Sequence, residues 1–430
     1  MKKHIKIILT ALLLLLFSLE IFSQNASEFH ERRTKLISLL DTNSAAVLKA
    51  AEGKTRSNDV TYRYRQESNF LYLTGIKEPG ASILFVPKIL DVDGKKVHTI
   101  YFVSGKLLDS IQVYENELVL NTDRLKDIFN STLLSLSTLY VSAPDLGFAN
   151  DWLNNKRYYM DKDARKELEN KFPNLKVKSI GAIVAKLREI KSETEINIIQ
   201  KAIDITGDGL NRAMSICEPE MYEYELQAEI EYEMTRQGAE YTGFPSIIGS
   251  GKNSHILHYS KNRRQMQSGE LVVMDVGAEY NGYSADITRT IPVSGKFTKA
   301  QREMYDLILN MQKEIFKIIK PGLALREIDN KFKALMSEKG YKKYIKHGII
   351  HHLGLDAHDA WSSDTLKPGM VITVEPGLYI PDDDKEIGEE YRGIAIRIED
   401  DVLVTEEGNI VLSKNIPKGI EEIENIMRIK

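Results

Sequence analysis

Four carboxylates stand at matching places in two stretches of this 430-residue chain. The first stretch, LVVMDVGAEYNGYSADITRT from Leu271 to Thr290, opens as an apolar β-run ending on Asp275. It turns through Gly277, Asn281 and Gly282 and enters a second run that carries Asp286. Strand side chains alternate, so Asp286, Thr288 and Thr290 share one face, and a tight turn can bring Asp275 and Asp286 to one site. Alone, this stretch also reads as a hairpin with two hydrated aspartates. The chain repeats it weakly, however. KPGMVITVEPGLY from Lys367 resembles SGELVVMDVGAEY from Ser268 and sets Glu375 opposite Asp275. RIEDD from Arg397 sets Glu399 opposite Asp286. A buried carboxylate pair repels unless something cationic lies between its groups.

Imidazoles are concentrated in HGIIHHLGLDAHD, which holds His347, His351, His352 and His358, four of the nine histidines in the chain. Such a run can be a plain surface feature. The glycine-punctuated, partly apolar GLDAHD context argues for structure around a site, and His258 in ILHY falls opposite His358 in the repeat. The candidate set is therefore Asp275, Asp286, Glu375, Glu399 and one histidine. One divalent ion would leave excess negative charge on four carboxylates, whereas two ions balance it. Oxygen-dominated ligation with one imidazole suits Mn²⁺, with Co²⁺, Fe²⁺ and Zn²⁺ admissible. Paired ions about 3.5–4 Å apart commonly share a water acidic enough to act as a nucleophile, and that chemistry is metal-assisted hydrolysis. The only cysteine, Cys217, rules out an intramolecular disulfide and cysteine-rich zinc or iron–sulfur sites, and reads as a small buried residue at the end of an apolar helical run.

The elements that must position these groups also repeat. ICEPEMYEYELQAEIEYEMTRQG from Ile216 resembles IIKPGLALREIDNKFKALMSEKG from Ile318. Ser192 with Glu195, and Thr298 with Gln301, are capping-box signatures ahead of long helices. A helix is expected over about Tyr222–Gln237, ended by Gly238, with strands at Ile247–Gly249 and Ile256–Tyr259. Two helix–helix–hairpin halves imply a pseudo-twofold domain with its hairpins over a shared cleft. Before it, strands at Ala81–Pro87, Lys96–Val103 and Leu139–Ser142 alternate with helices at Glu28–Leu40, Asp123–Leu136 and Asp161–Asn170, an independent α/β domain. The Arg/Tyr-rich TRSNDVTYRYRQ reads as plain surface or as a platform beside an active site, composition slightly favouring surface. The expected organisation is residues 1–23 as a signal, 24–178 as the α/β domain and 179–430 as the pseudo-twofold domain, α/β (α+β) overall.

Lys2, Lys3 and Lys6 ahead of the apolar Ile7–Phe17 run read as a secretory signal peptide, with export to the periplasm or medium expected. The run is shorter than the roughly 20 residues of a membrane span, so no stable span is expected after cleavage. Formal net charge is −4, and removing Lys2, Lys3, Lys6 and Glu20 (net +2) leaves −6, which argues against a nucleic-acid partner.

MDVGAEYNGYSADITRT, HGIIHHLGLDAHD, VITVEPGLYI and IAIRIEDD resemble the four signature segments of the pita-bread metallopeptidases. TRSNDVTYRYRQESNFLYLTGIKEPG resembles the N-terminal creatinase/prolidase-like domain of Xaa-Pro aminopeptidases. The resemblance implies a metalloaminopeptidase that takes peptides with proline at the second position. It makes Asp275, Asp286, His351, Glu375 and Glu399 the ligands of two metal ions. Asp286 and Glu399 would bridge the ions, Asp275 would hold one, and His351 with Glu375 the other. Within HGxxHxxGLDxHD the phase selects His351 over His352. Glu375 would also serve as general base or proton shuttle. His258, His347 and His358 would line the cleft and stabilise the oxyanion, and Arg397 would pair with a carboxylate. An Arg/Asp/Trp-rich segment common in the family is missing after TIYFVSGKLLDS, which leaves peptide length and a homodimer or homotetramer open. The nearest alternative is a dipeptide-restricted prolidase; a binding module without catalysis is disfavoured by the complete ligand set.

Overall fold

The computed structural model describes residues 26–105, 107–141 and 169–428. The chain divides into two compact units, one up to Leu187 and one from Arg188 onward, a division that falls later than the sequence-based boundary at 178/179.

In the first unit a helix over residues 26–39 precedes a six-stranded mixed sheet. Its strands are β1 (Ser44–Lys49), β2 (Ser82–Val92), β3 (Lys95–Val103), β4 (Glu117–Asn121), β5 (Thr138–Val141) and β6 (Lys176–Ser179), in the order β4-β3-β2-β1-β5-β6. Ala45, Leu84, Ile100, Phe102, Leu139 and Val177 form its core with Ile128 and Leu133 of the helix Leu125–Leu133. Tyr62, Arg63 and Arg65 are exposed. The signal segment Met1–Ser23 and most of the helix expected at Asp161–Asn170 lie outside the described residues.

The second unit is built twice. In its first half Ser192 and Glu195 close a capping box on α1 (Glu193–Ile216), which ends at buried Cys217 and is followed by α2 (Glu223–Arg236). Then come β7 (Ile247–Ser250), β8 (Leu271–Val276), β9 (Ala278–Tyr280), β10 (Tyr283–Ser284) and β11 (Ile287–Pro292). In the second half Thr298 and Gln301 cap α3 (Lys299–Ile318), followed by α4 (Leu325–Glu338), β12 (Val371–Val374), β13 (Gly377–Tyr379), β14 (Ala395–Arg397) and β15 (Asp400–Val404). The second helix of each half has 14 residues, and each is preceded by a corresponding backbone bridge, Tyr222 with Gln265 and Ala324 with Thr365. The two halves are thus the same local plan used twice, as the sequence repeat implies.

One expected strand is absent. Ile256–Tyr259 alternates like a strand, yet Gly251–His255 is a 3₁₀ turn and residues 256–258 continue in turns. The cause is the fully buried Glu223. Its Oε1 accepts from Ser250 N, Ser250 Oγ and Asn253 Nδ2, and its Oε2 accepts from Tyr259 Oη and Arg264 N. A buried carboxylate demands this many donors, and gathering them wraps the chain around Glu223.

Candidate metal centre

Strand register places the carboxylates. β8 pairs antiparallel with β11, setting Asp275 beside Thr288, and β12 pairs with β15, setting Val374 beside Asp400. Asn281 and Gly282, both at positive φ, make the tight β9–β10 turn, a mirror-image turn that suits twisted hairpins. Two glycines at matching places let the chain fold back. A Cβ on Gly277 would overlap the carbonyl oxygen of Ala285, next to Asp286. One on Gly377 would lie 2.8 Å from both His347 Nε2 and Tyr379 Oη. The halves differ where the imidazole enters. Ile247 and Gly249 face Asp275 and Val273, while Ile349 and His351 offer their carbonyls to the N–H groups of Glu375 and Thr373. His351 therefore occupies the place that Gly249 has in the first half, where Asn253 and Ser254 crowd out a side chain.

The groups converge on His351. Its Nε2 lies 3.6 Å from Asp286 Oδ2, 3.7 Å from Glu375 Oε1 and 3.9 Å from Glu399 Oε1. These separations exceed a hydrogen bond, so the donors surround a shared point. One ligand atom each from Asp286, His351 and Glu399 lies within 4.8 Å of the others, spacing that accommodates metal–ligand bonds of about 2.0–2.2 Å. Asp275 joins through Arg397, whose Nη2 donates to Asp275 Oδ2 at 2.5 Å, while buried Asp275 Oδ1 has no hydrogen-bond partner among the described residues. Were all ionised, Asp275, Asp286, Glu375 and Glu399 would outnumber the Arg397 guanidinium by three charges. The donor set fits divalent cations.

Ionisation follows from the same crowding. Burial, and then Asp275, Asp401 and Glu375, push Asp286 well above the usual carboxylate range. Burial and Asp286 do the same to Glu399, and burial raises Glu375 to about 8. Burial, and then His358, hold His351 down at about 3, so its ring is neutral and can offer a lone pair. Its Nδ1 lies 3.1 Å from the His352 carbonyl, and its ring stacks on His358 with centroids 4.0 Å apart.

The other expected residues gather nearby. His347 Nδ1 is 3.4 Å from Glu375 Oε2, and its Nε2 is 2.8 Å from Tyr379 Oη. Burial, reinforced by Arg397, lowers His347 to about 4. His258 is exposed. Arg397 donates from Nη1 to Tyr379 Oη at 2.8 Å and from Nε to Thr288 Oγ1 at 3.3 Å.

Relatives decide the family. The family described as Metallopeptidase family M24 matches residues 197–406, and the Aminopeptidase P N-terminal domain matches residues 29–131. The Xaa-Pro aminopeptidase of Escherichia coli is 36% identical over 436 residues, covering 93% of this chain and 97% of its own. The chain belongs to metallopeptidase family M24. Solved structures agree. A variant of Escherichia coli aminopeptidase P superposes with a TM-score of 0.80 at 34% identity, covering 94% of this chain and 98% of that one. Proline aminopeptidase P II from Yersinia pestis gives 0.80 at 33%, covering 94% and 100%. This M24 protein is thus a hydrolase, a metal-dependent aminopeptidase, with an N-terminal aminopeptidase P domain ahead of a pita-bread domain.

Two members of the M24 site, Tyr379 and Asp401, and the partner of a third, Thr288, are not apparent from the sequence. Tyr379 links His347 to Arg397, Thr288 donates to Glu399 Oε2 at 2.7 Å, and Asp401 Oδ2 accepts from Asp286 N at 3.1 Å. Alternation along the strand gave a usable signal for Tyr379, since Glu375, Gly377 and Tyr379 share a parity. Among the described residues no helix is long and apolar enough to cross a membrane.

Proposed function

We propose that this chain is an exported aminopeptidase that hydrolyses the Xaa–Pro bond at peptide N-termini with two divalent ions, Mn²⁺ being the best match to the donor set. The observation carrying this reading is the convergence of His351 Nε2 with Asp286, Glu375 and Glu399 beside the half-paired Asp275. In it Asp275, Asp286, His351, Glu375 and Glu399 would hold the ions. When bound, the ion pair supplies a water of lowered pKa and polarises the scissile carbonyl. Glu375 takes the proton of the attacking water and passes it to the departing prolyl nitrogen. That nitrogen belongs to a tertiary amide without an N–H, so no acceptor from the protein is called for there, and the leaving amine needs one proton, which Glu375 returns. His258, His347 and His358 face the cleft as donors for the peptide carbonyl and the oxyanion. Arg397 fixes Asp275 and Tyr379. The basic and apolar segment at residues 1–23 supports export.

The test compares an Xaa-Pro dipeptide with an Xaa-Pro-containing tripeptide, using chelated protein with and without added Mn²⁺ and Asp286→Ala as control. Metal-dependent release of the first residue from the tripeptide, abolished in Asp286→Ala, is expected. Cleavage of the dipeptide alone would make the protein a prolidase. Absence of metal-dependent turnover on either substrate would overturn the hydrolytic reading.

A further inference from the structure

A buried ion cluster lies behind the histidine loop and takes no part in the chemistry above. Asp359, only 5% exposed, is held between two cations. Lys191 Nζ is 3.0 Å from its Oδ2, and Arg188 Nη2 pairs with its Oδ1 while also reaching Asp356 Oδ2 at 2.7 Å. Both cations come from the segment leading into α1. Lys191 is itself buried, and its backbone N–H donates to the Gly369 carbonyl at 2.8 Å. Gly354 approaches Asp359 so closely that no Cβ would fit there.

Asp359 connects to His351 through the His352 carbonyl. The His352 carbonyl accepts from Asp359 N at 2.9 Å and sits 3.1 Å from His351 Nδ1. A carbonyl can only accept, so Nδ1 of His351 carries the proton, and the lone pair of the neutral ring falls on Nε2. That nitrogen faces Asp286, Glu375 and Glu399. His358, directly before Asp359, stacks on the His351 ring. The same loop is tied to the other half, since Ser284, two residues ahead of Asp286, donates its N–H to the Gly354 carbonyl at 2.8 Å. A buried ion cluster of this kind adds little net stability, because desolvation offsets most of its Coulombic gain, and apolar packing often does as well. Its effect lies in geometry: it fixes the acceptor that orients a ligand imidazole, and such supports typically govern metal affinity.

We propose that Arg188, Lys191 and Asp359 form a positioning triad that sets the tautomer and orientation of His351 and the stacking of His358, and through them the metal affinity of the site. The inference rests on His351 being a ligand, so its test must separate the two claims. The tautomer is read in the full-length, metal-free protein from long-range ¹H–¹⁵N correlations of the imidazoles, with the His351 signals assigned by their absence in His351→Ala. Mn²⁺ affinity is measured by titration calorimetry, and folding by circular dichroism and thermal melting. In Asp359→Asn, folded like the wild type, loss of the Nδ1-protonated His351 signature and a 10–100-fold weaker Mn²⁺ affinity are expected. Lys191→Met should show a smaller change of the same sign, and Lys191→Arg should restore most of it. An unchanged His351 signature and affinity in folded Asp359→Asn would overturn the proposal. Should Asp359→Asn not fold, Lys191→Met decides by the same two readouts. Wild-type Mn²⁺ affinity in His351→Ala would remove the ligand role and with it the claim about affinity, and the tautomer readout would still decide whether the triad positions the ring.

Discussion

Arg397 donates to one oxygen of Asp275 at 2.5 Å and leaves the other buried without a partner among the described residues. The same guanidinium reaches Tyr379 and Thr288, so three groups depend on one planar fork. Lysine supplies a point charge and cannot span them. Arg397→Lys should therefore lower kcat about 10–100-fold and weaken Mn²⁺ binding, with the peptide KM changed less. Steady-state kinetics and metal titration check this. Wild-type kcat in the variant would reduce Arg397 to a packing element.

Thr288→Val removes a hydroxyl that donates to Glu399 and accepts from Arg397. Shape is nearly kept, while two buried polar groups lose a partner, a loss of about 1–3 kcal/mol. A unit of this size shifts its Tm by roughly 2–4 °C per kcal/mol. The metal-free protein should melt several degrees lower, and Mn²⁺ should recover part of the difference. An unchanged melting point in the chelated variant would show that Glu399 and Arg397 find other partners.

Proton linkage gives a pH signature to metal removal. In the metal-free fold the carboxyls of Asp286, Glu375 and Glu399 are raised above their ordinary range by burial and mutual repulsion. The folded state then holds more protons than the unfolded one above about pH 4, the ordinary carboxylate range. Stability contributed by these groups is full below that range and is lost as pH rises through their raised folded values. Below about pH 6.5 the buried His347, His351 and His352, held neutral in the fold, act with the opposite sign. Chelated protein should therefore lose melting temperature from about pH 7 to pH 8, whereas Mn²⁺-loaded protein should hold it, and Mn²⁺ affinity should increase with pH as protons are displaced. A chelated protein whose melting temperature rose across this interval would contradict the linkage.

The site was legible where local pattern and chemistry agreed. Asp275 and Glu375 each end an apolar strand, so alternation and the repeat found them. Thr288 shared a face with Asp286 and was visible, but its bond to Glu399 spans the two hairpins and has no local trace. Tyr379 had the parity of Glu375, and only the fold shows that its hydroxyl meets His347 and Arg397. The Ile256–Tyr259 strand failed because Glu223, distant in sequence, gathers donors from Ser250, Asn253, Tyr259 and Arg264, and a buried carboxylate outweighs a short alternating pattern. Asp359 looked like one more acidic residue after a histidine; its cations lie at Arg188 and Lys191, far upstream.

Two adjacent histidines make the sharpest test of the assignment. His351 turns Nε2 toward three carboxylates, whereas His352 is 2% exposed, stacks against Trp361 with centroids 6.0 Å apart, and has no hydrogen-bond partner on either ring nitrogen among the described residues. Burial also keeps the His352 ring neutral, lowering it to about 4. Unpaired buried nitrogens carry a desolvation cost of about 1–3 kcal/mol. His352→Phe keeps the aromatic contact and removes those nitrogens, and leaves untouched the backbone carbonyl that orients His351. The variant should bind Mn²⁺ like the wild type, retain kcat within a few-fold, and melt at the same temperature or higher. His351→Phe should fold, lose metal affinity and be inactive. If the two substitutions exchanged these outcomes, the ligand would be His352 and the phase read from HGIIHHLGLDAHD would be off by one residue.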